Sequence, residues 1–505
     1  MSKNQEPLLA NWTEGRRGGS TPAALVHGLG SWAAREGPLF QRLADALRAS
    51  METGELPAGT LLPAERQLAG LLKVSRTTVV AAYETLRQEA RIESRQGSGT
   101  RVLQTASSGS LPGADASPSF RQNPVYRGLV EDSAETIGFL GAHLPGTGFL
   151  PSDLAFLACE LPKWTRRHGY VPAGLPELRQ AVARHISGWG LPTSEDQVLI
   201  TSGAQQAIGL AGALCLRPGD AVALEDPTYL GAVDVFGHLG ARLVPVGVDR
   251  QGMRLDLLRQ ALQRVPARLV YLMPTFQNPT GASMPERTRR ELARLCDELA
   301  LPLLEDHTLS DLTLGAEPPP PVAAFSQSGL VMTVGSLSKL FWGGLRIGWI
   351  RAAEPLLARL LRTKLTMDLG SALPSEILAV KLLSRVDRAK RARLREVREL
   401  YERLTALLKR HLPSWSWTPP AGGLSLWVRL PHGDANAFAQ VALRHGVSVV
   451  PGTLTSPSGG CSDHLRIPFV LEPALMTEGV QRLARAWEDF SPEARRMRAG
   501  PAVLV

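Results

Sequence analysis

The stretch VMTVGSLSKLFWGGLRIGWI, residues 331–350, is a β-branched run followed by Ser336-x-Ser338-Lys339, then glycines, with Arg346 seven residues beyond the lysine. A lysine at an arbitrary position is a solvated surface group. Lys339 instead sits between apolar runs and is flanked by hydroxyls. An amine in that setting has its pKa lowered and can form a Schiff base with an aldehyde. Ser336, Ser338 and Arg346 then suit a cofactor phosphate, because a guanidinium offers bidentate geometry.

Working outward from this stretch, four further islands each end a short apolar run. Thr201-Ser202-Gly203-Ala204 follows the run QVLI and opens a helical segment. Backbone N–H groups at a helix start bind phosphate, and small residues permit close approach. Tyr229, in the island EDPTY at 225–229, can stack on an aromatic ring. Asn278, within PTFQNPTG at 274–281, offers an amide donor to a ring hydroxyl. Asp306 ends the run LLED and can pair with a protonated pyridine nitrogen, making the ring an electron sink. All lie at strand ends or in the loops after them, where α/β sites form.

The islands belong to a region, 125–492, in which β-branched runs alternate with helix-length segments; this alternation predicts an α/β domain. Ahead of it, residues 104–124 (QTASSGSLPGADASPSFRQNP) form a Ser/Gly/Pro-rich linker. Residues 1–36 are an irregular N-terminal extension without a readable motif, and 493–505 form a tail. Within the tail-to-linker frame, 381–410 reads as one long basic helix, its outer face either solvated and ion-paired or set against DNA phosphates.

Residues 37–103 have a different pattern. Leu39, Leu43, Ala46 and Leu47 share one helical face, and a turn follows at 54–57. Pro63 is suited to begin a second helix with Leu68, Leu71 and Leu72 facing inward. Ser75 suits the N-cap of a third, in which Val79, Ala82, Tyr83 and Leu86 supply the core face. The third helix opens on Ser75, Arg76, Thr77 and Thr78, which provide hydroxyls for phosphates and an arginine fork for guanine, as a recognition helix requires. Residues 92–102 then read as two short strands around a glycine turn, a wing able to approach DNA closely.

LPAERQLAGLLKVSRTTVVAAYETLRQEARIESRQGSGTRV resembles the winged helix of GntR-type regulators over about 65 residues. The resemblance implies that Arg66, Arg76, Thr77 and Thr78 contact double-stranded DNA, with Ser75 beside them and the wing residues Arg95 and Gly97. Ala90 departs from the family, which usually has a glycine there. The five islands together resemble fold-type I aminotransferases, with a mostly parallel central sheet. With the winged helix-turn-helix, the whole is similar to the MocR subfamily of GntR regulators.

That resemblance implies pyridoxal 5'-phosphate as cofactor, with Lys339 as internal aldimine and catalytic residue, Asp306 on the pyridine nitrogen and Asn278 on the 3'-oxygen. Ser202, Gly203, Ala204, Ser336, Ser338 and Arg346 would hold the phosphate, Tyr229 would stack on the ring, and Tyr170 would reach the phosphate of a neighbouring subunit. Arg466, in HLRIPFV, would bind an α-carboxylate. Many relatives have a tyrosine two residues after the pyridine aspartate; here that position is Thr308. The resemblance also implies a head-to-tail homodimer in which each winged helix rests on the partner's large domain.

The expected protein is a PLP-dependent transcription regulator that senses PLP or an amino compound. The alternative is an active aminotransferase with a DNA tether, distinguished by turnover of an amino donor with a 2-oxo acid. A third reading, a DNA-binding scaffold without cofactor, would give a colourless protein. Composition is compatible: the net charge of +9 permits nucleic-acid binding without establishing it. Four scattered cysteines imply neither disulfides nor a metal site. With no long apolar run and no signal segment, the expected location is cytoplasmic, without membrane partners.

Overall fold

The computed structural model describes residues 25–26, 29, 32–34, 37–52, 56–95, 99–103, 125, 136–146, 148 and 150–490, with backbone alone at 34, 95 and 150–152. It divides into two compact units. One comprises Met1–Gly138, Gly433–Val449 and Gln481–Val505; the other comprises Phe139–His432 and Val450–Val480.

In the first unit three helices, Leu39–Glu52, Glu65–Leu72 and Arg76–Gln88, bury most of the apolar faces that the spacing predicts: Leu43, Ala46 and Leu47, then Leu68 and Leu72, then Val79, Ala82, Tyr83 and Leu86. Leu39, in the first turn of its helix, is exposed instead, and Leu71 is only partly buried. The second helix begins at Glu65 rather than at Pro63. The preceding Leu61–Leu62 is drawn into a sheet with Gly99–Val102, and the Pro63 carbonyl accepts from the Tyr83 hydroxyl at 2.8 Å. Ile92–Arg95 and Gly99–Val102 pair antiparallel as the wing.

Ala90 ends the third helix in the left-handed region, with φ 54°. Its N–H donates to Arg87 O at 3.0 Å and the Arg91 N–H to Leu86 O at 2.9 Å, the paired bonds that close a helix C-terminus. A left-handed backbone crowds a Cβ, so the position favours glycine, and Ala90 holds it under strain.

The extension contributes to this core. Leu25, Val26, Leu29, Trp32 and Ala33 are buried with the three helices. Trp32 Nε1 donates to Gln440 Oε1 at 3.3 Å, on a helix, Ala435–Arg444, buried from Ala435 to Leu443. Arg444 Nη1 donates to Leu72 O at 2.9 Å.

The second unit is built on a sheet in the order Val198–Thr201, Gly348–Arg351, Val331–Ser336, Leu303–Asp306, Ala267–Leu272, Ala221–Asp226, Arg242–Asp249, Gly252–Met253. The pairings from Val331–Ser336 through Arg242–Asp249 are parallel, and Gly348–Arg351 is antiparallel to both neighbours. Strands Val198–Thr201, Leu303–Asp306 and Val331–Ser336 are buried throughout, so their apolar residues run consecutively rather than alternating. This arrangement brings Thr201, Asp226, Leu272, Asp306 and Ser336 to one edge.

The basic stretch 381–410 is two helices, Leu373–Leu383 and Val386–His411, not one. They part at Ser384 and Arg385, where Arg385 Nη1 reaches the buried Asp153 carboxylate at 2.9 Å. Nor is every base on its outer face: Arg393 is 2% exposed.

Candidate cofactor site and DNA-binding surface

Lys339 lies in the turn after Val331–Ser336, its Nζ donating to Ala142 O at 2.8 Å. Burial, then the Arg466 charge, push the amine down to about 8, against the pull of Asp306. Ser336 Oγ lies 2.9 Å from Ser338 Oγ and 3.1 Å from Ile347 O, so this hydroxyl also shapes the turn. The turn is pinned from outside by Arg393, whose Nε donates to Leu340 O at 3.1 Å and Nη2 to Phe341 O at 2.9 Å and Pro145 O at 2.8 Å.

Opposite, the helix Ala204–Cys215 begins at Gly203, whose φ is +125°. A Cβ there would lie 2.9 Å from Arg346 Nη2, so the guanidinium rests directly on the helix start. A Cβ on Gly348 would meet Gly203 Cα at 2.7 Å. The free N–H groups of a helix start, together with a guanidinium, form an anion site. The Ser202 N–H donates to Gln206 Oε1 at 2.8 Å.

Asp306 is buried and accepts from the Tyr271 hydroxyl at 3.1 Å and from the Thr308 N–H at 2.9 Å. Burial pushes its carboxyl up despite these bonds, so a cation placed against it is favoured. Asn278 Oδ1 is buried without a partner. The Tyr229 hydroxyl donates to Gln205 Oε1 at 3.1 Å. Arg466, on the strand His464–Pro468, donates from Nη1 to Leu140 O at 2.9 Å, while its Nε is buried without a partner. Burial pushes this guanidinium down to about 10, and no carboxylate among the described residues contributes to its pKa. Tyr170 is 59% exposed and stacks on His168 rather than on any of these groups.

Several participants escape sequence reasoning. Tyr271 reads as one more core residue of its strand. Glu305, His307 and Ser310 form a buried chain behind Asp306, with 3.0 Å between Glu305 Oε2 and His307 Nε2 and 2.8 Å between His307 Nδ1 and Ser310 Oγ. Glu225 Oε2 accepts from the Met273 N–H at 2.9 Å while Oε1 is unpaired; burial pushes this carboxyl up to about 8. Arg393 is hidden within a basic run.

The donors present fit pyridoxal phosphate. The cradle at Gly203 and Arg346 admits no Cβ and suits a phosphate, Asp306 suits a ring cation, the unpaired Asn278 amide suits a ring substituent, and Lys339 is an amine of lowered pKa.

On the first unit, Ser75 Oγ accepts from the Thr78 N–H at 3.1 Å and lies 2.7 Å from Thr77 Oγ1 and 2.8 Å from Thr78 Oγ1. The hydroxyl foreseen for DNA thus also caps the helix. Arg66, Arg76 and Thr77 are exposed, with Arg76 Nη2 3.2 Å from Glu65 Oε2. Gly97 and the side chain of Arg95 lie outside the described residues.

Such a fold and site define a DNA-binding regulator with a PLP-type domain. Residues 39–102 match the family of bacterial regulatory proteins of the gntR type, and residues 162–483 match aminotransferase class I and II. The chain is 30% identical over 433 residues to the uncharacterized HTH-type transcriptional regulator YisV of Bacillus subtilis, covering 82% of this chain and 89% of that one. It is 30% identical over 398 residues to the probable rhizopine catabolism regulatory protein MocR of Rhizobium meliloti, covering 75% and 78%. LysN, the α-aminoadipate aminotransferase of Thermus thermophilus solved with N-(5'-phosphopyridoxyl)-L-leucine, superposes with TM-score 0.66 at 30% identity, covering 72% of this chain and 94% of that one. The chain belongs to the GntR-type regulators that carry an aminotransferase class I and II domain, the MocR subfamily, and its cofactor is pyridoxal phosphate.

Proposed function

We propose that this regulator senses an amino compound, or pyridoxal phosphate itself, at Lys339 and converts occupancy into a change in DNA affinity. The observation that carries this reading is Arg466: a buried guanidinium with an unpaired Nε and no acidic partner among the described residues. Leaving such a group unmatched is costly unless a ligand anion completes it. Bound pyridoxal phosphate supplies an aldehyde with which amines condense. Lys339 would supply the amine for that aldehyde, Asp306 would hold a proton on the ring nitrogen, and Asn278 would orient the ring oxygen. Ser202, Gly203, Ala204, Ser336, Ser338 and Arg346 hold the phosphate, with Tyr229 against the ring. Arg466 takes the ligand carboxylate.

The DNA is held by Arg66, Ser75, Arg76, Thr77 and Thr78, with Arg95 and Gly97 from the wing. The protein acts in the cytoplasm as a head-to-tail homodimer, in which Tyr170 reaches the partner's phosphate site; its 59% exposure supports that role. A ligand shifts DNA affinity only by its differential affinity for two states. The test is fluorescence anisotropy of operator DNA, selected from genomic fragments, with and without a panel of amino acids. At least one amino acid should shift the affinity of the wild type and leave Lys339→Ala unaffected; an equal shift in both proteins would contradict the reading.

A second reading, amino-group transfer, is favoured by the intact set of Lys339, Asp306 and Arg466. Steady turnover of an amino donor with a 2-oxo acid would establish it.

A further inference from the structure

The segment Leu140–His143 crosses the front of the cofactor site and is tied down at two alternate carbonyls. Leu140 O accepts from Arg466 Nη1 at 2.9 Å, and Ala142 O accepts from Lys339 Nζ at 2.8 Å. Between these ties the chain folds so that the His143 ring covers Gly141. A Cβ on Gly141 would fall 2.2 Å from His143 Nδ1 and 2.4 Å from Cε1. Only glycine tolerates the ring in that position, so Gly141 and His143 form one fitted unit.

His143 is exposed, and its ring nitrogens have no hydrogen-bond partner among the described residues. The charges that reach it are Lys339 and Arg466, both positive; desolvation and then these two cations push its pKa down to about 4. The nearest acid of the site, Asp306, is buried and already engaged by Tyr271 and the Thr308 N–H. A neutral imidazole thus stands on the segment that Lys339 and Arg466 tie down, and no acid among the described residues is ion-paired to any of the three.

We propose that His143 is a specificity-determining residue that selects ligands with a second carboxylate, that is, α-amino dicarboxylic acids. This inference rests on the reading of the site as an amino-acid receptor. The α-carboxylate satisfies Arg466, displacing the Leu140 carbonyl that occupies it. The second carboxylate then meets the imidazole N–H. An apolar side chain gains no such bond there. A hydrogen bond charge-assisted by the carboxylate is strong enough to discriminate about tenfold.

L-2-Aminoadipate and L-norleucine isolate this term, since they have the same carbon count and differ in a terminal carboxylate against a methyl. Each is titrated against the full-length holoprotein, following the visible absorbance of the cofactor, for the wild type, His143→Ala and His143→Gln. The wild type should bind L-2-aminoadipate about tenfold more tightly than L-norleucine. His143→Ala should lose most of that preference while binding L-norleucine within about twofold of the wild type, and His143→Gln, which keeps a donor, should recover part of it. Retention of the full preference in His143→Ala, or a wild type that favours L-norleucine, would overturn the assignment of His143 alone. If no amino acid in a broad panel perturbs the cofactor band of the wild type, the receptor reading falls and this inference with it.

Discussion

Arg393 Nε donates to the carbonyl of Leu340, the residue after Lys339, at 3.1 Å. The helix Val386–His411 thereby holds the turn that presents the amine. The same guanidinium reaches Phe341 O and Pro145 O, so one buried cation fixes both the lysine turn and the segment in front of it.

Arg393→Ala would leave three carbonyls without this donor and is expected to cost ~3 kcal/mol or more, since buried hydrogen bonds to charged groups are among the stronger ones. The readouts are thermal unfolding and retention of cofactor on gel filtration. A variant with unchanged melting temperature and full cofactor content would refute the role.

Gly203→Ala places a Cβ 2.9 Å from Arg346 Nη2 on a backbone whose φ of +125° already disfavours side chains. The guanidinium must move off the helix start. Affinity for pyridoxal phosphate, measured by fluorescence titration of the apoprotein, should fall at least tenfold. DNA binding by the separate winged helix should be retained.

Only the neutral form of Lys339 attacks an aldehyde, and its pKa is lowered from the usual lysine value to about 8. The rate at which apoprotein takes up pyridoxal phosphate should therefore rise with pH and level off above about 8. An unshifted lysine would still be climbing near 10. Stopped-flow absorbance between pH 6 and 10 distinguishes the two profiles.

Ala90 adopts φ 54° at the end of the recognition helix. A left-handed alanine is strained by roughly 1–2 kcal/mol, and glycine removes that strain at some cost in chain entropy. Ala90→Gly should raise the stability of the winged helix by ~1 kcal/mol, measured by urea unfolding of the full-length protein at the transition reported by its helical signal. A destabilised variant would show that the chain-entropy cost of glycine exceeds the strain relieved and would contradict the prediction.

The sequence exposes this site because its chemistry sits at strand ends. Lys339, Asp306 and Asn278 each follow an apolar run, and a polar group there has few roles other than a site. Ser75 and the faces around Val79 and Leu68 are legible because caps and helical spacing are local signals. Arg393 is not legible: in a run of bases nothing local marks the one that turns inward, and its carbonyl partners lie far earlier in the chain. Tyr271 looks like core until Asp306 of the neighbouring strand is placed beside it. Trp32 is likewise unreadable, since Gln440, its partner, is 408 residues distant. At the break between the two helices Arg385 meets Asp153, again a distant residue. Local patterns reveal the elements and the chemistry they carry; long-range partners decide which of several similar side chains is used.

The claim on which the rest depends is that Lys339 covalently holds the cofactor. The direct measurement is the visible absorbance of purified protein with pyridoxal phosphate, before and after borohydride, for the wild type and Lys339→Ala. The account predicts a yellow band in the wild type that borohydride removes, with the reduced adduct mapping to the peptide containing Lys339, and no such band in the variant. A colourless wild type, or a band that persists in Lys339→Ala with the adduct on another lysine, would contradict it.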